Sequence, residues 1–201
     1  MIIHKFKQQT PEWFKARDLK ATASNATAIG NDGKGLVTYV KKVVAEHYTP
    51  DQDKEESFSS KDTRRGIELE PVARSMYELE YGVTVDQVGF IEMNEHVGAS
   101  PDGLIGEDGG LEIKCIDSNH YIDHIQDGED AIESGYIWQV QMNLLISGRK
   151  WWDIAFYNPN FPKPLSVYRI YPDAEKMEKL TNGIESFISQ KEALIAKIES
   201  K

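Results

Sequence analysis

Ala99-Ser100-Pro101-Asp102-Gly103-Leu104-Ile105, followed by Gly106-Glu107-Asp108-Gly109-Gly110 and then Leu111-Glu112-Ile113-Lys114-Cys115, is the stretch on which the fold turns. The short alternating runs over 96–100, 103–105 and 111–116 predict strands, and the glycines between the last two predict a tight hairpin. Alternate residues of a strand share a face. Glu112 and Lys114 therefore project together beside Asp102, while Ile113 and Cys115 point the other way into a core. Two bare carboxylates about 4 Å apart repel by roughly 4 kcal/mol at an effective dielectric of 20. A hard cation removes that cost, and oxygen ligands suit Mg²⁺, with Mn²⁺ as a substitute. A cation held there polarises a phosphate and lowers the pKa of a water, while Lys114 orients or deprotonates that water. The Ile113 carbonyl is a further expected ligand. This is the residue set of a phosphodiester-cleaving nuclease.

Letters alone are weak evidence for it. The chain has two other Pro-Asp pairs, Pro50-Asp51 and Pro172-Asp173, and acidic-x-Lys triplets beginning at Asp18, Asp32 and Glu199. Only the 101–114 set lies on two predicted strands joined by a turn, and context is what separates it from a surface hairpin with a solvated acid and base.

Outward from the hairpin, Thr10-Pro11-Glu12 predicts a helix start, with Thr as N-cap and Pro in the first turn. That helix carries Trp13, Phe14 and Arg17. A second short helix is expected to open near Thr22-Ala23-Ser24, and apolar spacing over 36–48 predicts a third. Residues 49–62 are almost wholly polar and read as a mobile loop. Val72, Met76 and Leu79 mark a helix that Pro71 either opens or kinks. Val83 to Ile91 alternates like one strand. Residues 131–147 read as a helix, Trp152 to Phe156 and Val167 to Tyr171 as strands, and 173–200 as a long closing helix. The expectation is a single α/β domain over 1–201, a mixed central β-sheet flanked by α-helices.

At 201 residues the chain can bury a substantial core. With one cysteine it can form no internal disulfide. It has no apolar run long enough for a membrane span, and Met1 to Lys7 is too polar for a signal peptide, so a cytoplasmic protein is expected. The net charge of −10 argues against nucleic acid as a partner if taken alone. Global charge does not fix local potential, and bound cations reverse the field at a carboxylate site.

Further blocks appear in order around the hairpin: Trp13…Arg17…Thr22-Ala23-Ser24; Gly66…Glu70…Ala73-Arg74; and Tyr136…Gln139-Val140-Gln141. With the 99–115 stretch, this order resembles the phage lambda exonuclease family, the YqaJ-type viral recombinase nucleases of the PD-(D/E)xK superfamily. The resemblance runs from about residue 10 to about residue 160. It implies a restriction-endonuclease-like core, with Asp102 and Glu112 as metal-binding acids, Lys114 as the catalytic lysine and Gln139 near it. It adds Glu70 as a further acid at the metal; by itself Glu70 reads as an exposed helix-start glutamate. It gathers Arg17, Thr22, Ser24 and Ser100 around a 5′-terminal phosphate. A helix starting near Ser24 and a guanidinium at Arg17 suit that anion, although Thr22 or Ser24 alone reads as an N-cap.

The implied activity is Mg²⁺-dependent, ATP-independent 5′-to-3′ degradation of one strand of linear double-stranded DNA to mononucleotides, leaving 3′ tails. The implied partners are DNA ends, two further copies of the chain in a homotrimer, and a single-strand annealing protein in a phage- or prophage-bearing bacterial cell. The chain departs from the family at two places. The hydrophobic wedge aligns near Thr63, and an arginine after the catalytic lysine aligns near His120, a weaker and pH-dependent phosphate contact. Arg64, Arg65 and Arg74 are either DNA contacts or surface charge. The rivals are a sequence- or structure-specific endonuclease and a catalytically silent DNA-binding module. An iron–sulfur nuclease needs more than Cys115 can supply.

Overall fold

The computed structural model describes residues 1–49 and 61–200, with side chains for all of these except 61–64. Among the described residues the strands form two sheets. Strands β1 (Ile2–His4), β2 (Ala21–Thr22), β4 (Phe90–Asn94) and β5 (Val97–Ala99) make one, in the order β1-β4-β5-β2. Strands β3 (Val85–Asp86), β6 (Gly103–Ile105), β7 (Gly109–Cys115), β8 (Trp151–Tyr157) and β9 (Leu165–Ile170) make the other, in the order β3-β6-β7-β8-β9. Both are mixed: β2 runs parallel to β5 and β7 parallel to β8, and the remaining pairs are antiparallel.

The chain crosses between the sheets twice in short succession, over 87–89 and over 100–102. The alternation over Val83–Ile91 is thus two short strands in different sheets and not one. Gly89 marks the break. A side chain there would collide with the Phe6 carbonyl and ring, so only a glycine lets the strand end pass the N-terminal segment. The second crossing carries Ser100, Pro101 and Asp102.

Helices cover the sheets. They are α1 (Pro11–Arg17), α2 (Ala26–Asn31), α3 (Lys34–Tyr48), α4 (Lys61–Tyr81), α5 (Ser118–Asp127), α6 (Ser134–Ser147) and α7 (Ala174–Glu199). The Thr10 hydroxyl accepts from the Trp13 N–H at 3.4 Å, the cap expected from the sequence. The expected 49–62 loop falls largely on residues outside the described ones; the exception is its end, because α4 already begins at Lys61. Pro71 neither opens nor ends α4, which runs through it. The second Pro-Asp set dissolves on sight. Asp173 caps the start of α7 and Glu199 ends it, 26 residues later, about 40 Å along a helix.

The core has two parts, one on each face of the five-stranded sheet. Leu111 and Ile113 face α4 with Ala155, Tyr157, Ala73 and Tyr77. Trp152, Ile154 and Phe156 face the other way, toward α6 and the larger cluster. By the β7–β8 register Gly110, Glu112 and Lys114 lie beside these three. Helix α6 packs on both sheets and on α2 and α7, which is why Val140, Gln141, Met142, Asn143 and Leu144 are all buried and no clear apolar stripe shows in its sequence.

Gly110 is fixed by this packing, since an added Cβ would overlap the indole of fully buried Trp152. Gly110→Ala is expected to destabilise the protein by about 1–3 kcal/mol, as overpacking does. Urea unfolding measures it, and an unchanged midpoint would mean that the Trp152 side chain has room to move.

Candidate active site

Asp102, Glu112, Lys114 and Gln139 meet where β7 outruns β6. The β6–β7 pairing stops at Gly103 opposite Leu111, so the next residues of β7 face the crossover peptide instead. There the Asp102 carboxylate accepts from the Ile113 N–H at 2.6 Å. In an extended strand the N–H and C=O of one residue point to the same edge, so the Ile113 carbonyl also faces the Asp102 side.

Glu112 is only 4% exposed and fully engaged. Its Oε1 accepts from Lys114 Nζ at 2.9 Å and from Gln139 Nε2 at 2.5 Å, and its Oε2 accepts from Asn143 Nδ2 at 3.2 Å. Lys114 Nζ also donates to Gln139 Oε1 at 3.1 Å and lies 4.8 Å from the centre of the Tyr136 ring. Asn143 was not expected from the sequence. The signal was present: it stands four residues after Gln139 on α6, so both side chains reach the same carboxylate. Its Oδ1 is buried with no hydrogen-bond partner, an open acceptor at the edge of the site.

Glu70 sits in mid-helix on α4, not at a helix start, and its carboxylate accepts from the Arg74 guanidinium one turn on. Arg74 is buried, which removes the surface-charge reading, and its guanidinium holds Glu70. Burial raises the Glu70 pKa; Arg74 and Lys114 oppose that rise and Glu112 adds to it. Asp102 is held well above the ordinary carboxylate range by burial first, then by Glu112 and Glu70, against the pull of Lys114 and the Ile113 N–H. Burial works against the Lys114 charge, yet Glu112 and Asp102 outweigh it and its pKa lies above the usual lysine value. Burial, with Glu70 and Asp102, pushes the Cys115 thiol up to about 11, so it stays protonated and is no nucleophile.

The donors are therefore three carboxylates, of which Glu70 and Asp102 have raised pKa values, together with a main-chain carbonyl. That chemistry fits a hard divalent cation. As they stand, no three His, Cys, Asp or Glu side chains among the described residues are close enough to hold one. Each carboxylate is turned onto a protein donor: Asp102 onto the Ile113 N–H, Glu112 onto Lys114 and Glu70 onto Arg74.

A second site lies across the crossover. A cavity of about 510 Å³ is lined by Arg17, Lys20, Thr22, Ser24, Asn25 and Lys42, and also by the acids Asp18 and Glu46. Arg17 Nη1 donates to the Ser100 hydroxyl at 2.9 Å, as does Trp13 Nε1 at 2.8 Å. Burial lowers the Arg17 pKa, but a guanidinium remains charged. Thr22 stands at the N-cap position of a 3₁₀ turn, but its side chain makes no capping hydrogen bond. Its hydroxyl lies 3.1 Å from the Tyr39 hydroxyl and 3.3 Å from that of Ser24. The helix expected at Ser24 is a 3₁₀ turn over Ala23–Asn25, and α2 starts at Ala26 with six residues. Hydroxyls and the Asn25 amide, rather than a helix start, face the cavity. Of the four residues assigned to a 5′ phosphate, Arg17, Thr22 and Ser24 line the cavity, and Ser100, two residues from Asp102, joins them through its hydrogen bond with Arg17.

The remaining candidates fall elsewhere. Arg65 donates to the Ile116 carbonyl at 3.0 Å, at the end of β7. His120 is exposed on α5 and pairs with Asp117 at 2.8 Å, and that hydrogen bond raises its pKa. Thr63 and Arg64 are in the first turn of α4, with side chains outside the described residues. No helix of the described residues is long and apolar enough to cross a membrane.

The sequence profile of the YqaJ-like viral recombinase domain matches residues 12–150. Two structures of the alkaline exonuclease LHK-Exo from Laribacter hongkongensis superpose on the chain, with TM-scores of 0.84 and, in complex with dAMP, 0.83. Each is 30% identical to this chain and covers 95% of it and 97% of its own length. A phage related exonuclease from Haemophilus somnus 129PT shares the fold at a TM-score of 0.68, with 17% identity over 92% of this chain and 99% of its own. No curated protein matches the chain. Its motif order, its mixed sheets between helices and these matches agree: the chain belongs to the YqaJ-like viral recombinase family, of the phage lambda exonuclease type.

Proposed function

We propose that this protein is a divalent-metal-dependent exonuclease that degrades one strand of linear double-stranded DNA from its 5′ end, without ATP, releasing mononucleotides and leaving 3′ tails. The observation that carries the reading is the pairing of two sites through one short peptide. Ser100 is bound by Arg17 of the cavity, and Asp102 lies against the Glu112–Lys114 strand. A nuclease that needs an end has reason to keep a phosphate cavity at a fixed place beside its cutting site.

Asp102, Glu112 and Glu70, with the Ile113 carbonyl, would hold a Mg²⁺ ion, which would supply Lewis-acid polarisation of the scissile phosphate and a lower pKa for the attacking water. The chain does the rest. Lys114, held by Glu112 and Gln139 and kept charged by the neighbouring carboxylates, places an ammonium where charge builds on the phosphate and donates to orient the attacking water. Gln139 and Asn143 fix Glu112 so that the strand's acid cannot swing away. Arg17, Thr22 and Ser24 hold the terminal phosphate and set which bond enters. The dAMP found with LHK-Exo is in keeping with a mononucleotide product here. The proposal extends to a homotrimer and to a single-strand annealing protein as partner in recombination, and to action in the cytoplasm of a bacterium that carries the phage or prophage.

Incubation with 5′-phosphorylated linear duplex, 5′-hydroxyl duplex and closed circular DNA, with Mg²⁺ or EDTA, tests it. Rapid loss of the first, only with Mg²⁺, is expected. Cleavage of circles would move the assignment to an endonuclease, and no cleavage at all to a DNA-binding module. Arg17→Ala is expected to lower kcat/KM on the phosphorylated duplex about 10- to 100-fold, the loss of a charge-assisted pair. The 5′-hydroxyl duplex should be cut as before. Equal losses on both would remove Arg17 from phosphate recognition.

A further inference from the structure

Lys191 is a lysine of α7 that is only 4% exposed, and neither site uses it. Its Nζ donates to the Leu19 carbonyl at 2.9 Å and lies 3.0 Å from His96 Nδ1. An ammonium has no lone pair, so Nδ1 accepts and the ring proton resides on Nε2. That nitrogen stands 3.6 Å from the Glu95 carboxylate and 3.9 Å from that of Glu192, which suits a donor. The His96 carbonyl accepts from the Ala21 N–H at 2.8 Å, and Lys20 Nζ donates to the Glu95 carbonyl at 3.0 Å. The segment 19–21 is thus pinned jointly by the β4–β5 turn and by the C-terminal helix.

What is pinned is a strained turn. Leu19 has a φ of 55°, a left-handed conformation that L residues rarely adopt. The turn separates Arg17, at the end of α1, from Thr22 and Ser24, and Asp18, Leu19 and Lys20 themselves line the cavity. Its conformation sets the width between the guanidinium wall and the hydroxyl wall. Without an anchor on the Leu19 carbonyl, the backbone gains by relaxing out of the left-handed region, and the two walls shift.

We infer that Lys191 is a positioning residue for recognition of a DNA 5′ phosphate, acting through the Leu19 carbonyl to hold the cavity walls in register. This rests on the reading of the cavity proposed above. It also draws into end recognition a part of the chain beyond residues 12–150, the span that the family profile matches.

Fluorescence anisotropy in EDTA, where no cleavage occurs, tests the inference with two duplexes that differ only in a 5′ phosphate or hydroxyl. The wild type is expected to bind the phosphorylated duplex more tightly. Lys191→Met should lose about tenfold of that affinity, with binding of the hydroxyl duplex unchanged within about twofold. Leu19→Gly placed in Lys191→Met should restore most of the preference, because glycine holds a positive φ without an anchor. If Lys191→Met does not fold, Lys191→Gln, which keeps an amide donor for the Leu19 carbonyl, is expected to lose about threefold. A lysine that merely stabilises the fold would weaken both duplexes alike when replaced, and that result overturns the inference. So does an intact preference in Lys191→Met or Lys191→Gln. A wild type indifferent to the phosphate overturns the cavity's reading first, and this inference with it.

Discussion

Asp102→Asn is expected to abolish cleavage, by about 10³-fold or more, while leaving the folded protein in EDTA more stable than the wild type. The two effects have one cause. Asn keeps an oxygen for the Ile113 N–H, so the crossover peptide retains its hydrogen bond. It removes a charge that burial, Glu112 and Glu70 all disfavour. A carboxyl whose folded pKa lies above its unfolded value binds its proton more tightly in the folded state. Its contribution is fully present below about pH 4 and is lost as pH rises through the folded pKa. Wild type and Asp102→Asn should therefore unfold at similar temperatures in acid, when other groups are shared, and diverge as pH rises toward neutrality. Added Mg²⁺ should raise the wild-type Tm at neutral pH and leave that of Asp102→Asn nearly unmoved. A wild type more stable than the variant in EDTA at neutral pH would show that the Asp102 charge is satisfied without a cation.

Lys114→Met should lower the rate with Mg²⁺ by about 10²- to 10⁴-fold, the range for loss of a proton-transfer or charge-stabilising group. Among the described residues the ammonium is the only full positive charge that hydrogen-bonds Glu112; without it the amides of Gln139 and Asn143 remain. Breaking a buried pair by removing one partner costs about 3–5 kcal/mol, and partial exposure of Lys114 puts this case toward the lower end. In EDTA the variant should melt earlier than the wild type; with Mg²⁺ much of the difference should close, because a cation can stand in for the lost charge on Glu112 but not for the proton donor. Recovery of stability without recovery of rate is the expected signature. If Mg²⁺ restores both, Lys114 is a structural counter-ion and the chemistry belongs to another group.

Much of the site was legible because strands alternate. Glu112 and Lys114 on one face and Ile113 on the other follow from a period of two, and the turn glycines fixed where the hairpin lies. Gln139 came only with the family order, since one amide on a helix says nothing of what it meets. Asn143 was missed, although it stands one helical turn after Gln139 and reaches the same carboxylate. The contact between Arg17 and Ser100 spans 83 residues, and nothing local encodes it.

Among the elements, β1 and β2 are three and two residues long, too short for any period to show. Helix α5 escaped notice because only Tyr121 and His124 of its ten residues are buried. The single strand expected over Val83–Ile91 was a case of two strands in phase by accident, with the chain changing sheets between them. The short helix expected to open around Thr22–Ser24 does open there, but as a 3₁₀ turn, with the α-helix starting only at Ala26, and this changes which groups face the cavity.

Ser100 and Asp102 are two extended residues apart, a reach of at most about 7 Å. On the proposed reading that tripeptide is a gauge block. The held terminus and the severed bond keep one separation, whatever bases lie between them, and fragment size becomes a property of the polypeptide and not of the DNA. Lengthening the link by a single inserted glycine would be the way to make this enzyme cut at a different stride.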